Sequence, residues 1–472
     1  MRLTNVALIS LPPGRVMSYG FDEAGADAAS VPVSFDQGRH VGEGDRPGSW
    51  MAIAFRVPEA AATPRGPVTD PSARLRAELA TAWDAVVARH GTLRTAFSPG
   101  GGDGAGAGGD AVRLHEIPLG PGRWQEHSAA DDGEEEARRI VRRVFDAHCR
   151  PFARPSHRLI VVEPPPGAEN GGDAESAIDP RPVVLIGSDH SHVDMWSLQV
   201  LVRDLVTCLD DVRGGRDPGA ALEPATPFAV HTAQLAAAGP APAEVQQRWA
   251  GVLARGDGSM PVFPMPLGDL SQRRPEVVEV HDLLDAAELD AFEARAAAAG
   301  VRLISLSVSL LTTVTAEVAA SALRAVFPVH SRHDESWHGA VGWFITNAVL
   351  ECDDPDPAAC AAAVKQSLAL GSYPLAPIFG PSGMPAGPGM FALSWLDARR
   401  LPVQLDDALR VQHVSAVIPT DGVMVWFIVN GSGLHLRVRY PDTPEARASL
   451  RRWIEAVDGA FRASAREASL RR

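Results

Sequence analysis

The chain has 472 residues, and its net charge of −14 reflects 58 acidic side chains against 44 basic ones. An acidic chain argues against nucleic acid or an anionic membrane as a partner, because both select clustered Lys and Arg. The four cysteines form no CxxC pair and no run of about 18 apolar residues occurs, so we expect a cytoplasmic protein without membrane spans.

The first half of the chain alternates between predicted strands and helices. Residues 1–50 are rich in Pro and Gly and are expected to be mainly loops. Asp70 before Pro71 is typical of a helix start, because Asp caps the first turn and Pro fits its first position. Two stretches rich in Gly and Asp or Pro, 99–110 and 163–182, predict surface loops. The predicted strands are 51–57, 112–117, 158–162 and 183–186, and the predicted helices are 71–90, 134–147 and 196–209.

The second half shows the same mixture after a break in composition. Residues 213–224 are rich in Gly, Pro and Asp and are the best candidate for a boundary. Asp285 and Glu288 predict a capping box, and the NGSG segment from Asn430 predicts a hairpin. The predicted helices are 228–237, 244–253, 285–300, 305–323, 357–370 and a last one after Thr443. The predicted strands are 326–330, 341–350, 390–395, 423–429 and 434–440.

Both halves therefore predict α/β (α+β) lobes. The predicted domains are an N-terminal lobe over 1–212, a linker and crossover segment over 213–275, and a C-terminal lobe over 276–472. A chain of this size with two lobes is expected to hold its site between them.

The sequence DHSHVDMW, residues 189–196, is the strongest candidate for chemistry. It follows the apolar run at 183–186 and precedes a helix with apolar residues at helical spacing. It places Asp189, His190, His192 and Asp194 where a strand ends and a helix begins. Such turns commonly carry catalytic side chains, because the flanking elements hold them rigidly.

Two interpretations of this turn follow from its residue types. If the segment is extended, His190 and His192 point the same way and could share a metal ion with Asp194, as in metallo-β-lactamase-like hydrolases. Met195 stands where that motif has its last His, and no second ligand set is recognisable. Alternatively, the turn is structural and the backbone satisfies its histidines.

A third interpretation rests on several segments together. The central turn is similar to the sequence His-His-x-x-x-Asp-Gly-x-Ser, with His190, Asp194 and Ser197 in matching places. This turn and five further segments, in their order along the chain, resemble nonribosomal peptide synthetase condensation domains of the chloramphenicol-acetyltransferase-like acyltransferase superfamily. The other matching segments are RHGTLRTAF at 89–97, PF at 151–152, WxxxL at 249–253, FPVHSR at 327–332 and VGWF at 341–344.

The resemblance implies two acetyltransferase-like lobes in a V-shaped pseudo-dimer, with a tunnel between them. His190 is then the general base that activates an amine or hydroxyl acceptor. Asp194 is structural and pairs with Arg332 from the second lobe, since a buried carboxylate needs a partner. The remaining candidates for lining the site are Asp189, His192, Met195, Trp196, Ser197 and Asn347.

Two positions depart from the family pattern. Asp189 replaces the first His, and its carboxylate could raise the basicity of His190. Met195 replaces the Gly, and its side chain could narrow the tunnel. The departures leave open a degenerate domain that binds a carrier protein without catalysis.

The resemblance also implies the substrates. The donor is expected to be an acyl group on phosphopantetheine, carried by a separate carrier protein or by CoA, and the acceptor a small molecule of natural-product biosynthesis such as that of antibiotics. No carrier-protein or adenylation motif appears, so a free-standing acyltransferase without a permanent cofactor is expected. The alternatives are a CoA-dependent acyltransferase, the non-catalytic domain and, as a minor one, the metal-dependent hydrolase.

Overall fold

The computed structural model describes residues 2–59, 70–100, 112–128, 133–165, 179, 181–380 and 383–469. Residues 101–110, 166–178 and 180 of the two predicted loops lie outside this part. The chain divides into two compact, discontinuous units. The first contains Met1–Ala237, Arg332–Phe344 and Pro402–Val417, and the second contains Ala238–Ser331, Ile345–Leu401 and Ile418–Arg472. The contiguous domain ranges drawn from sequence stay predictions.

Strands and helices alternate along the described residues. The strands are β1 (Arg2–Asn5), β2 (Arg15–Glu23), β3 (Ser30–Val31), β4 (Trp50–Arg56), β5 (Thr95–Pro99), β6 (Val112–Glu116), β7 (Leu119–His127), β8 (His157–Glu163), β9 (Val183–Asp189), β10 (Glu276–Asp285), β11 (Leu323–His330), β12 (Ile345–Cys352), β13 (Phe391–Asp397), β14 (Gln412–Ser415), β15 (Val423–Asn430) and β16 (Gly433–Pro441). The helices are α1 (Phe35–Gly42), α2 (Pro71–Arg89), α3 (Glu134–His148), α4 (Met195–Gly214), α5 (Phe228–Ala237), α6 (Ala243–Arg255), α7 (Ala286–Ala298), α8 (Leu303–Ala319), α9 (Pro357–Leu370), α10 (Ala376–Phe379) and α11 (Pro444–Ser469).

The first unit is built on a seven-stranded sheet in the order β1-β14-β4-β9-β8-β2-β7. β1 and β14 are parallel, and the other neighbours are antiparallel. β9 lies in the middle, between β4 and β8, and all seven of its residues are buried. The apolar run at 183–186 is thus a central strand, and it delivers Asp189 to the turn that follows.

The early RHGTLRTAF segment joins α2 to α4. The carboxylate of Asp204 in α4 is fully buried and accepts hydrogen bonds from Arg89 Nε at 2.9 Å, His90 Nε2 at 2.8 Å and Arg203 Nε at 2.7 Å. A buried carboxylate with several charged or polar donors is well compensated. Arg89 and His90 therefore anchor α4, the helix that begins at the candidate site.

The second unit has a six-stranded sheet in the order β10-β16-β15-β13-β11-β12. The predicted hairpin is confirmed, with Asn430 opposite Gly433 at the turn between β15 and β16. The predicted capping box at Asp285 and Glu288 is confirmed at the start of α7. No single helix in the described part is long and apolar enough to cross a membrane. α7 and α8 reach that length and hydropathy only as a pair, across a bend of 93°.

Residues 1–50 hold more regular structure than expected, namely β1, β2, β3 and α1, and Ser34 with Gln37 forms a capping box at α1. Two other local predictions are corrected. The predicted helix over 305–323 ends at Ala319, and β11 begins soon after. The predicted strand over 341–350 begins only at Ile345.

Acid should destabilise the first unit through two buried histidines. Burial lowers the pKa of His157 to about 3, helped by the charge of Arg158, and burial likewise lowers the pKa of His413 to about 3. In the unfolded chain a histidine has a pKa near 6.5, so below that pH it binds a proton that the buried histidine does not bind. The free energy of unfolding therefore falls as the pH drops below about 6.5. At about pH 5 each of the two histidines should lower the free energy of unfolding by about 2 kcal/mol relative to neutral pH.

Urea unfolding at neutral pH and at about pH 5 measures this loss. His157→Leu should weaken the pH dependence, whereas His333→Gln, which changes an exposed side chain, should leave it unchanged. An identical pH dependence in His157→Leu and the parent chain would contradict the assignment.

Candidate functional site

The DHSHVDMW segment forms a tight turn between β9 and α4. His192 N donates to the Asp189 carbonyl at 3.0 Å, and Val193 N to the His190 carbonyl at 3.4 Å. The Asp194 side chain caps α4 by accepting from Ser197 N at 2.6 Å. The segment is therefore not extended, and alternate residues do not share a face.

His190 is held in one tautomer and against one ring. Its Nδ1 lies 3.0 Å from the Val193 carbonyl oxygen, which can only accept, so Nδ1 carries the proton and Nε2 the lone pair. Its imidazole stacks on the Trp343 indole, with centroids 4.0 Å apart and planes 23° apart. The side chain is half-buried. The site thus presents a basic nitrogen on a fixed ring.

The electrostatic surroundings keep His190 neutral. Burial lowers its pKa below the ordinary value, and His40 lowers it further when its ring carries a second proton. The charges of Asp189 and Asp194 act in the opposite direction. A neutral imidazole at physiological pH can accept a proton, which is what general base catalysis needs.

Asp189 does not hydrogen-bond to the His190 ring. Its fully buried carboxylate accepts from Ser49 Oγ at 2.5 Å, from Ser191 N at 2.9 Å and from Ser191 Oγ at 2.5 Å. It also lies 3.2 Å from His40 Nε2. Burial alone would raise the pKa of Asp189, but these partners lower it to about 2. The predicted increase in basicity at His190 is present as a charge effect, but burial outweighs it.

His192 lies in different surroundings from His190. Its side chain is buried, its ring centroid lies 5.4 Å from that of Phe97, and burial lowers its pKa. The shared pair of imidazoles that a metal site would need is therefore not formed by the turn. Among the described residues, no group of three or more His, Cys, Asp or Glu side chains is arranged to hold a metal ion.

Asp194 and Arg332 form a fully buried ion pair, with Arg332 Nη2 3.1 Å from Asp194 Oδ1. Arg332 also donates to the carbonyls of Trp337 at 2.6 Å and Ala340 at 2.8 Å, and it lies 3.8 Å from the centroid of the Phe344 ring. Burial lowers the pKa of Arg332, and Asp194 opposes that shift. The structure assigns Arg332 to the first unit, with the segment that runs to Phe344.

This cluster explains why residues 341–344 leave the predicted strand. Ser197 Oγ donates to the Gly342 carbonyl at 2.8 Å and accepts from Gly342 N at 3.1 Å, and Phe344 N donates to Asp194 Oδ2 at 3.0 Å. The backbone of the segment is satisfied by the turn instead of by a neighbouring strand. Ser197 also accepts from Arg332 at 2.7 Å, so its hydroxyl is fully engaged and is a poor nucleophile.

The other predicted site residues are spread around α4 and β12. Met195 is half-buried at the first position of α4, and Trp196 is buried with its Nε1 donating to the His338 carbonyl at 3.1 Å. Asn347 lies opposite Pro328 in β12 of the second unit. The roles given to these residues from sequence stay predictions.

Sequence reasoning missed two aromatic residues of the site. His40 from α1 lies with its ring centroid 6.1 Å from that of His190 and 5.2 Å from that of Trp343. In the sequence, Trp343 stands out only as part of the VGWF match at 341–344. The capping pair Ser34 and Gln37 was the available signal for α1, but nothing local indicated which side chain it would bring to the turn.

Comparison with known proteins shows that the chain shares its fold with solved structures. No family model matches the chain, and no curated protein matches its sequence. Among solved structures, the PapA2 acyl transferase has a TM-score of 0.77 at 19% identity and covers 98% of this chain and 100% of that one. The first condensation domain of the calcium-dependent antibiotic synthetase has a TM-score of 0.66 at 15% identity, over 93% of this chain and 98% of that one.

A third structure, SgcC5 from Streptomyces globisporus, has a TM-score of 0.63 at 15% identity and covers 91% of this chain and 98% of that one. At such identities the likeness concerns the fold. The predicted mixed α/β class is confirmed by two units that each combine a sheet with helices. The chain therefore has the chloramphenicol-acetyltransferase-like fold of condensation domains, as its sequence motifs predict.

Proposed function

We propose that this protein is an acyltransferase that moves an acyl group from a phosphopantetheine thioester to an amine or hydroxyl acceptor. The observation that carries the proposal is the tautomer of His190, whose Nδ1 is committed to the Val193 carbonyl. Its Nε2 is then the basic nitrogen, on an imidazole that is neutral near pH 7. The fold shared with acyltransferases supports the same reaction class.

The proposed reaction needs one proton to move twice. Nε2 of His190 takes the proton from the acceptor as its nitrogen or oxygen attacks the thioester carbonyl. The tetrahedral intermediate then collapses, the C–S bond breaks, and the departing sulfur receives the proton as a free thiol. The products are an amide or ester and a thiol, and no covalent bond to the enzyme is required.

The start of α4 is the candidate for stabilising the developing oxyanion. Backbone N–H groups at a helix N-terminus carry partial positive charge and favour an anion nearby. Those of Met195 and Trp196 begin α4 beside His190. In this proposal they supplement the imidazole, and Asp194 and Arg332 hold the turn in place.

The donor is proposed to arrive on a carrier protein, from a natural-product pathway. One structural relative is a condensation domain of an antibiotic synthetase, which supports a carrier-bound donor. A CoA thioester ends in the same phosphopantetheine arm and is the alternative source. The two donors differ in what lies beyond that arm, so an assay can separate them.

The test compares octanoyl-pantetheine, octanoyl-CoA and an octanoyl-loaded carrier protein, each with a panel of amines and alcohols. We expect thiol release that depends on an acceptor, together with an acylated product detected by mass spectrometry. Thiol release without any acceptor, abolished by a chelator, would instead indicate a metal-dependent hydrolase. Binding of the carrier without thiol release across the whole panel would contradict transfer and indicate a docking role.

A further inference from the structure

His40 is fixed by hydrogen bonds at both ring nitrogens. Its Nδ1 lies 3.2 Å from a guanidinium nitrogen of Arg46, which can only donate, so Nδ1 accepts. Its Nε2 therefore carries the proton and donates to Asp189 at 3.2 Å. With both nitrogens engaged, His40 cannot serve as a second base for the reaction.

The helix that carries His40 is tied to the turn at two points. One is the bond from His40 to Asp189, whose carboxylate is also held by Ser49 and Ser191. The other is the Gln37 side chain, which donates from Nε2 to the Ser191 carbonyl at 2.8 Å. Because these partners are buried or half-buried, α1 and the turn form one hydrogen-bonded body.

Trp343 packs against both the His40 ring and the imidazole of His190, whose own centroids are 6.1 Å apart. The His40 ring meets the indole edge-on, with centroids 5.2 Å apart and planes at 64°. The indole in turn stacks on His190 at 4.0 Å. The Trp343 side chain is only 9% exposed, so it has little room to tilt. Each ring therefore limits the movement of the next.

We propose that Asp189, His40 and Trp343 are positioning residues that together fix the ring plane of His190. The Val193 carbonyl holds only one atom of the imidazole. A single hydrogen bond fixes the tautomer but leaves the ring free to tilt about it, whereas a stacked indole restrains the whole plane. Asp189, which replaces the His of the family pattern, thus acts on His190 through His40 and Trp343.

The kinetic side of this inference rests on the proposed function, but the geometry can be tested without a substrate. The probe is the ring Cε1–H signal of His190 in protein labelled with ¹³C-histidine, assigned with His190→Gln. The indole ring current should shift this signal upfield. Trp343→Leu should remove the shift and Trp343→Phe should retain part of it. His40→Leu and His40→Gln should both alter it, since neither keeps the ring.

The kinetic readout uses the acyl-thioester assay on the same variants. Misplacing a reacting group by about 1 Å can cost about 10²-fold in rate, so Trp343→Leu and His40→Leu should each lower kcat by about that factor with KM little changed. The titratable groups that face His190 are His40, Asp189 and Asp194. Removing the indole admits water and reduces the burial that lowers the pKa of His190. The acid limb of the profile of kcat against pH should therefore shift to higher pH in Trp343→Leu.

The outcomes separate the two ideas. A His190 signal that stays unchanged in Trp343→Leu or in His40→Leu overturns the positioning role, whatever the activity. If a leucine variant fails to fold, the comparison of Trp343→Phe with His40→Gln decides in the same way. If the signals move as expected but the parent chain transfers no acyl group, the proposed function fails while the positioning role stands. His333→Gln, an exposed change, is the control and should move neither signal nor rate.

Discussion

Replacing His190 with alanine should lower acyl transfer by about 10²–10⁴-fold while the protein stays folded, because that range is typical of a lost general base. The side chain is half-buried and makes one hydrogen bond, to Val193. Its removal loses that hydrogen bond and the stack on Trp343, and the thermal unfolding midpoint should fall by only a few degrees. The measurement is kcat with the best donor and acceptor pair, alongside a thermal melt.

A second histidine of the same turn provides the matched control. His192 is buried and its ring packs on Phe97, whereas that of His190 stacks on Trp343. His192→Asn should lower stability and leave most of the rate. Equal rates for His190→Ala and the parent chain would remove the catalytic assignment. Loss of rate only in His192→Asn would transfer it to that residue.

Replacing Arg332 with methionine should produce the largest loss of stability, about 3–5 kcal/mol, because it leaves the buried Asp194 carboxylate without its cation. The change also removes the guanidinium group that donates hydrogen bonds to the carbonyls of Trp337 and Ala340. The free energy of unfolding in urea measures the cost. Activity should fall as well, because the same pair holds the start of α4.

The double variant Asp194→Asn with Arg332→Met tests whether the loss belongs to the pair. Its cost should be clearly less than the sum of the two single costs, since one substitution removes the charge that the other leaves unpaired. Arg123→Met is the control, because Arg123 forms an ion pair with Asp22 in which both side chains are exposed, and its loss should cost less than about 1 kcal/mol. Additive costs for Asp194 and Arg332 would show that the ion pair contributes nothing of its own.

Local sequence signals located most elements of the fold. Asp70 accepts from Ala73 N at 3.0 Å at the start of α2, as its position before Pro71 predicts. The strand at 183–186 and the helix after it were both predicted, and they bracket the site. These features depend on neighbours in the sequence, so a short window contains the information that determines them.

The parts that sequence reasoning missed depend on distant partners. The direction of the Asp189 carboxylate is set by His40 in α1 and by Ser49 in the segment before β4. Trp343 reaches His190 only because Ser197 and Asp194 take over the backbone bonds of its segment. Neither arrangement leaves a periodic pattern, and each needs a tertiary contact to be known first.

β14 lies far along the chain from the strands it joins, and this position constrains how the first unit can fold during synthesis. Within the described strands, β1 pairs only with β14, and β14 alone separates it from β4. As synthesis proceeds along the chain, residues 57–411 must emerge after β4 before residues 412–415 can complete that sheet. Until then β1 has no partner strand and one edge of β4 is unpaired. A chaperone or a strand of another chain would bind at these unpaired edges.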